Sequence, residues 1–575
     1  MNKTIRRRDT VNVGALRDAA LKPLLAQIYA ARGVVGADQL DLSFARLLPP
    51  NQLLNVERAA ELLADGIAAG ARLLIVGDFD ADGATSVALA VSALRAFGAE
   101  HVDYLVPNRF EFGYGLTPEI VDLAHQLQPD LIVTVDNGIA SLEGVARARE
   151  LGIATLITDH HLAGERLPAA DVIVNPNQPG CPFPSKHLAG VGVMFYVLLA
   201  LRAELRRRQW FVQRSEVNLA DYLDLVAVGT VADVVPLDYN NRILVQGGLQ
   251  RIRAGRARPG IHALLEVASR SAHNVVAGDL GFAVGPRINA AGRLDDMSIG
   301  IECLLSEEAY RCRRLAGQLH SLNQDRRHIE QGMQEEALQI IANMDLRDAV
   351  ALPVAMTLYQ PGWHQGVIGI LASRIKDRLY RPVIAFADGP DGELKGSARS
   401  IPGIHIRDVL DAVATRQPGL VSRFGGHAMA AGLSLPVHHL QAFSVALVAE
   451  VERQLEDVQL QAIIESDGEL ATEYFCLDVA SALRFAGPWG QQFPEPMFDG
   501  IFTLLQQRIV GDKHLKMVLR LPDSDQLVDA IAFNIDPEQW PATAVSKVEI
   551  AYRLDVNEFR GQRSVQLIVE QLAAA

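Results

Sequence analysis

The sequence predicts an α/β protein: a doubly wound parallel-sheet domain, a long connecting helix and a C-terminal OB-type β-barrel. Three observations carry this. Short apolar runs alternate with helical patterns between residues 72 and 158, the rhythm of a parallel sheet covered on both faces. Acidic and imidazole side chains follow three of those runs, at the strand ends where such sheets bind ligands. The last hundred residues hold about five alternating segments with no helical period, which suits a small barrel.

In chain order, residues 1–50 read as an N-terminal extension with little chemistry. The start, MNKTIRRRDT, is basic, and no apolar h-region of a signal peptide follows it. The expected strands are 72–77, 101–106, 131–135 and 154–158, with helices at 117–126 and 141–151 between them. The stretch GDFDADGATS, residues 77–86, joins the first strand to an alanine-rich helical segment. It places Asp78, Asp80 and Asp82 within five residues. Alternate residues of an extended segment point the same way, so these carboxylates repel one another unless a cation neutralises them. A helix cap uses one Asp, not three. Oxygen ligands on a tight loop suit magnesium or manganese.

Asp136 follows LIVTV, and Asp159, His160 and His161 follow ATLIT. A single histidine is most often structural. An Asp-His-His run at a strand end instead supplies imidazole ligands with a carboxylate to orient them. Asp233 lies in the apolar stretch LVAVGTVADVVPL. It is costly to bury unless paired or metal-bound, and reads equally well as a turn residue before Pro236.

The apolar fraction of 49% is ample for large cores, and no run is long enough to span a bilayer. Four cysteines without CxxC spacing suggest free thiols in a reducing compartment and no zinc site. The net charge of −14 argues against a uniformly basic nucleic-acid binder. Arginines cluster locally, however, at 206–208, 287 and 293, 311–314 and 326–327, and local patches decide where a polyanion docks.

Residues 306–343 are charged and helical, with Ser306 as the cap and Glu307 and Glu308 in the first turn. A long helix that is not apolar all round often bridges domains. Beyond it, GWHQGVIGILASR offers Ser373 and Arg374 as phosphate donors, and GGHAMAAG contributes Gly426 and His427. Close helix packing explains the glycine pairs equally well. Between 436 and 480 nine acids face one base, which reads as a helix and linker. In the terminal barrel, Lys513, His514, Lys516, Phe533 and Phe559 form a possible stacking and charge platform for single strands. Ordinary surface lysines and core phenylalanines account for each of them singly.

GDFDADG, VDNG at 135–138 and TDHH at 158–161 resemble the DHH phosphoesterase superfamily. PNRFEFGYGLT, AGVGVMFY, VADVVPL, GPRINAAGR, GWHQGVIGILASR and GGHAMAAG resemble its RecJ-type branch of single-strand-specific exonucleases. The likeness runs from about residue 50 to the C-terminus. It implies domains at 1–50 (extension), 51–300 (DHH catalytic), 301–344 (connecting helix), 345–435 (a second α/β domain, DHH-associated), 436–480 (acidic helix and linker) and 481–575 (OB-type barrel). It implies two divalent cations, Mn2+ or Mg2+, held by Asp80, Asp82, Asp136, His160 and Asp233, with Asp136 as the bridge. Asp78 and Asp159 then lie at the margin, and His161 faces the scissile phosphate. Arg109, Ser373 and Arg374 are expected to hold a terminal 5′ phosphate, with Arg287 and Asn289 on the following strand. The family also implies 5′ to 3′ digestion of single-stranded DNA to mononucleotides in DNA repair and recombination. It further implies a cytoplasmic monomer off the membrane, with single-strand-binding protein and a RecQ-class helicase as partners. Two other readings remain. A phosphoesterase for small substrates would need neither the barrel nor GPRINAAGR, and a non-catalytic scaffold would not keep the full acidic and histidine set.

Overall fold

The structure is a computed structural model. It describes residues 3–9, 14–17, 21–108, 115–343, 352–455, 460–511, 513–535, 540 and 545–575. The chain forms two compact units, one of residues 7–323 and 466–575, the other of residues 1–6 and 324–465.

The first unit is built on a five-stranded parallel sheet of β1 (Arg72–Val76), β2 (His101–Leu105), β3 (Leu131–Val135), β4 (Ala154–Thr158) and β5 (Val172–Val174). Its order is β2-β1-β3-β4-β5. Successive side chains of a strand point to opposite faces, and the core divides accordingly. Leu73, Ile75, Leu131, Val133 and Val135 enter one apolar layer with the helices α1 (Ala81–Phe97), α2 (Gly190–Arg207) and α3 (Leu223–Ala232). Leu74, Val76 and Ile132 enter the opposite layer with the helices Pro118–His125 and Leu142–Glu150. Burial on both faces is why these strands read as continuous apolar runs. Two of the expected strands end one residue early, and β5 has no counterpart among them. At three residues it is too short to carry a period.

Three further helices matter to the sites: α4 (Tyr239–Arg253), α5 (Gly285–Leu294) and α6 (Ala309–Asn343). α6 begins three residues later than the sequence suggests, and the Ser306 hydroxyl still accepts the Glu308 N–H.

The C-terminal barrel is closed, with strands β11 (Phe498–Val510), β12 (His514–Arg520), β13 (Leu527–Ala532), β14 (Lys547–Phe559) and β15 (Gln562–Ala574) in the order β11-β12-β13-β15-β14. All its pairings are antiparallel except β13 with β15, as in the expected OB-type barrel. The N-terminal segment does more than extend the chain. Arg32 donates to both oxygens of Asp467 at 2.8 and 2.9 Å, and Tyr29 stacks on Trp489 and Phe493. Phe493 itself belongs to the large core beside the sheet, so a truncation before residue 466 uncovers that core.

The second unit carries a five-stranded mixed sheet, β6 (Met356–Tyr359), β7 (Val383–Asp388), β8 (Glu393–Arg399), β9 (Arg423–Gly426) and β10 (Ala430–Pro436), in the order β9-β10-β8-β7-β6. Ile384 and Phe386 face Val409, Leu410, Phe443 and Leu447 from the helices Ile406–Arg416 and Leu440–Gln454.

Candidate active site

The carboxyl ends of β1, β3 and β4 deliver seven of the expected groups, and the end of α3 delivers the eighth. After β1 the chain turns sharply. Asp78 accepts the Phe79 N–H at 2.7 Å. Asp80 caps α1 by accepting the N–H groups of Asp82 and Gly83 at 2.9 and 3.0 Å. Asp82 lies in the first turn of α1 and accepts the N–H groups of Gly190 and Val191 at 2.6 and 3.0 Å. The positive end of α2 therefore offsets one buried carboxylate.

Asp136 is the centre of the cluster. It is 2% exposed and has a φ of 63°, a conformation that costs a residue other than glycine roughly 1–3 kcal/mol. Its N–H donates to the Thr158 carbonyl at 3.0 Å, which holds the turn. His160 Nε2 lies 3.1 Å from Asp136 Oδ1 and 3.5 Å from Asp233 Oδ2. Asp159 Oδ1 accepts the N–H groups of His160 and His161 and lies 2.7 Å from His161 Nδ1, while its Oδ2 accepts the Ile139 N–H. Asp159 thus fixes the orientation of His161.

Close approach to glycine makes this crowding possible. A Cβ on Gly190 would lie 2.5 Å from the Asp136 Cβ, and one on Gly292 would lie 1.9 Å from the Phe79 carbonyl oxygen. Gly190→Ala should therefore push Asp136 or the α2 terminus aside. The expected result is Mn2+ affinity weakened at least about tenfold, the scale of a lost supporting contact. Calorimetric titration checks it, with an unchanged circular dichroism spectrum. Wild-type affinity would show that the Gly190 contact does not position the ligands.

Ligand atoms of Asp78, Asp80 and Asp136 lie within 4.8 Å of one another, as do those of Asp82, His160 and Asp233, and those of Asp136, His160 and His161. Asp136 and His160 each belong to two sets. The donors are carboxylate oxygen and imidazole nitrogen with no sulfur, which fits manganese and tolerates magnesium. The electrostatics point the same way. Burial, then the charge of neighbouring aspartates, pushes Asp136 and Asp233 well above the carboxylate range and Asp82 up to about 7. Cations would relieve that repulsion. Burial opposes the charged form of His161, but the hydrogen bond and charge of Asp159 outweigh it and hold the imidazole up at about 9.

The other expected contacts fall elsewhere. Asn289, on α5, accepts the Ala81 N–H at 2.7 Å, so it braces the aspartate turn. Arg287 is buried and donates to His320 Nδ1 and the Ala283 carbonyl. Both side chains are engaged by the protein itself. Arg109 lies outside the described residues. In the second unit, the Ser373 hydroxyl donates to the Gly369 carbonyl, and Arg374 donates to Glu330 at 2.8 Å from a half-exposed position. Gly426 has a φ of 143°, and the His427 N–H closes the β9–β10 turn onto Ala430. On the barrel, Lys516 pairs with Asp529 at 3.1 Å, Lys513 lies in the β11–β12 turn, and Phe533 and Phe559 are exposed. Val234, next to Asp233, has a φ of 60°, a strained state for a β-branched residue. Nothing in the sequence signals that strain, nor the roles of Gly190 and Ile139.

Residues 72–230 match the DHH family N-terminal domain, 330–453 the DHHA1 domain and 466–571 the RecJ OB domain. The chain is 55% identical to the single-stranded-DNA-specific exonuclease RecJ of Escherichia coli (strain K12) over 98% of both chains. The crystal structure of RecJ with Mn2+ from Thermus thermophilus superposes with a TM-score of 0.81 at 30% identity, covering 100% of this chain and 80% of that one. The Mg2+ complex from the same source superposes with a TM-score of 0.76 at 28% identity, covering 100% and 79%. With likeness this extensive in sequence and in all three domains, the chain belongs to the RecJ family.

Proposed function

We propose that this protein is a metal-dependent exonuclease that degrades single-stranded DNA from its 5′ end to mononucleotides in DNA repair and recombination. The observation that carries this reading is the pair of ligand sets sharing Asp136, in a chain 55% identical to a named single-stranded-DNA-specific exonuclease. Asp80, Asp82, Asp136, His160 and Asp233 are the residues that would hold Mn2+ or Mg2+, with Asp78 at the edge. Such cations, when bound, supply positive charge to a phosphodiester and acidify water. The chain's own part is positional. Asp159 holds His161 by its Nδ1 and so orients the ring proposed to face a phosphate, and in the metal-free protein the hydrogen bond and charge of Asp159 hold that imidazole up at about 9.

Ser373, Arg374, Gly426 and His427 are proposed phosphate contacts in the second unit, and Arg109 an additional one. A terminal 5′ phosphate carries more charge and more acceptor oxygens than an internal diester, so an added guanidinium favours it. Arg374→Ala should reduce discrimination between 5′-phosphorylated and 5′-hydroxyl strands more than it reduces overall binding, read from initial rates on the two substrates. An unaltered preference would remove Arg374 from end recognition. On the barrel, Lys513, Lys516, Phe533 and Phe559 are proposed to follow the strand by charge and base stacking. We also propose a cytoplasmic monomer, with single-strand-binding protein and a RecQ-class helicase as family-implied partners.

The deciding experiment is one digestion series on end-labelled single- and double-stranded DNA with Mn2+, with Mg2+ and with chelator. Mononucleotides from single strands only, lost on chelation, are the expected products. Digestion from a free 3′ end when the 5′ end is blocked would overturn the polarity.

A further inference from the structure

Outside the carboxylate cluster, the first unit holds a cavity of about 630 Å3 whose walls include Arg242, Gln246, Gln250, Arg256, Phe44 and Phe485. Arg242, Gln246 and Gln250 recur every four residues along α4, so they form one row on one face of that helix. The row is about 12 Å long at 1.5 Å per residue.

The charge balance of this cavity is unusual. Arg242 is only 6% exposed. Among the described residues its Nε has no hydrogen-bond partner and no carboxylate lies within ion-pair distance of its guanidinium. Its guanidinium lies over the rings of Phe493, at 4.2 Å to the centroid, and Tyr239, at 5.6 Å. The neighbouring acids are already engaged. Asp221 pairs with Arg251 at 2.7 Å and Asp41 with Arg46 at 3.0 Å. Asp238 caps α4 by accepting the Asn241 N–H and takes the Ser185 hydroxyl on its other oxygen. Arg256 stands exposed at the same wall with no ion pair among the described residues. A buried cation with no carboxylate in ion-pair distance is costly; the charge of Asp238 reaches Arg242 only from beyond that distance, and a cavity beside it leaves room for an anion. Burial accordingly lowers the affinity of Arg242 for its proton.

The size and the remaining walls narrow the class of anion. Pockets of about 300–1,000 Å3 take whole small molecules, so this one is far larger than an inorganic anion needs. Phe44 and Phe485 are 38% and 40% exposed, and half-exposed rings offer a base a stacking surface. Gln246 and Gln250 add amide donors and acceptors between the two kinds of group. We infer that this cavity binds a nucleoside monophosphate, its phosphate on Arg242 and Arg256 and its base against the phenylalanine rings. This inference does not depend on the proposed nuclease activity.

The test uses the full-length protein in excess chelator, so that the carboxylate cluster holds no cation. Calorimetry and thermal melting are run with deoxyadenosine monophosphate, with adenosine and with inorganic phosphate. The nucleotide should bind and raise the melting temperature, and adenosine and phosphate should each bind at least about tenfold more weakly. Arg242→Met keeps the volume and removes the charge; it should weaken the nucleotide at least tenfold. Arg256→Ala, at the exposed wall, gives the same reading in a variant whose folding is not in question. Phe485→Ala should weaken the nucleotide but not phosphate, and Asp136→Asn should bind the nucleotide like wild type. Four results would overturn the inference: no nucleotide binding at millimolar concentration; adenosine or phosphate binding as tightly as the nucleotide; affinity unchanged in both arginine variants; or affinity lost in Asp136→Asn.

Discussion

Asp136→Asn is expected to abolish strand hydrolysis while raising the melting temperature of the metal-free protein. The two effects have one cause. Asp136 is buried among Asp78, Asp80, Asp82 and Asp233, and its ionised form is disfavoured first by burial and then by their charge. Asparagine keeps the shape, tolerates the φ of 63° at this position, and leaves the N–H on the Thr158 carbonyl undisturbed. It removes the charge that both adjoining ligand sets share. Losing a supporting contact to a ligand costs about 10–100-fold, so losing the shared ligand should cost more than about 100-fold in rate. Initial rates on labelled single strands with Mn2+, and melting curves in chelator, check both halves. Asp136→Ala separates charge from backbone, because alanine bears the left-handed strain without a polar side chain. Hydrolysis by Asp136→Asn within tenfold of wild type would remove Asp136 from the metal site.

The parts of this architecture legible in the sequence are those fixed by local rules. β3 and β4 can be bounded to the residue, because central parallel strands are apolar on both faces and end where polar side chains begin. The eight acidic and imidazole groups can be gathered because the chain delivers seven of them at strand ends. What escapes is what depends on distant partners. Arg32 and Asp467 meet across 435 positions, so the N-terminal segment looks idle in the sequence. Asn289 braces Ala81 from 208 positions away, so its support of the aspartate turn leaves no local trace in the sequence. Gly190 shows its purpose only once α2 lies against Asp136. A lone arginine such as Arg242 carries no sequence signal at all, since its distinction is that no carboxylate among the described residues lies within ion-pair distance of it in space.

The same carboxylates predict how stability and metal binding depend on pH. Asp82 titrates near 7 in the folded protein against an ordinary value of 3.8. Below about pH 4 it is protonated in both folded and unfolded chains and contributes nothing to the difference. Between about pH 4 and 7 the unfolded chain has released the proton and the folded chain still holds it, so stability falls as pH rises. Three pH units correspond to about 4 kcal/mol, an upper figure because neighbouring aspartates share the effect. His161 acts in the same direction at higher pH. Its folded pKa is raised from 6.5 to about 9, so its stabilisation is full below 6.5 and is lost as pH climbs through 9. A cation reverses the carboxylate part, since it binds the ionised form and must displace these protons. The expected result is a metal-free melting temperature that drops between about pH 4 and 7, relative to the Asp82→Asn variant measured alongside, and a Mn2+-induced rise that grows over the same interval. Calorimetry in two buffers of different ionisation enthalpy should show protons released on Mn2+ binding at pH 6, and fewer at pH 8. A Mn2+-induced rise that is constant with pH, together with no proton release, would mean that these carboxylates are already ionised without metal and that their burial is compensated by the protein alone.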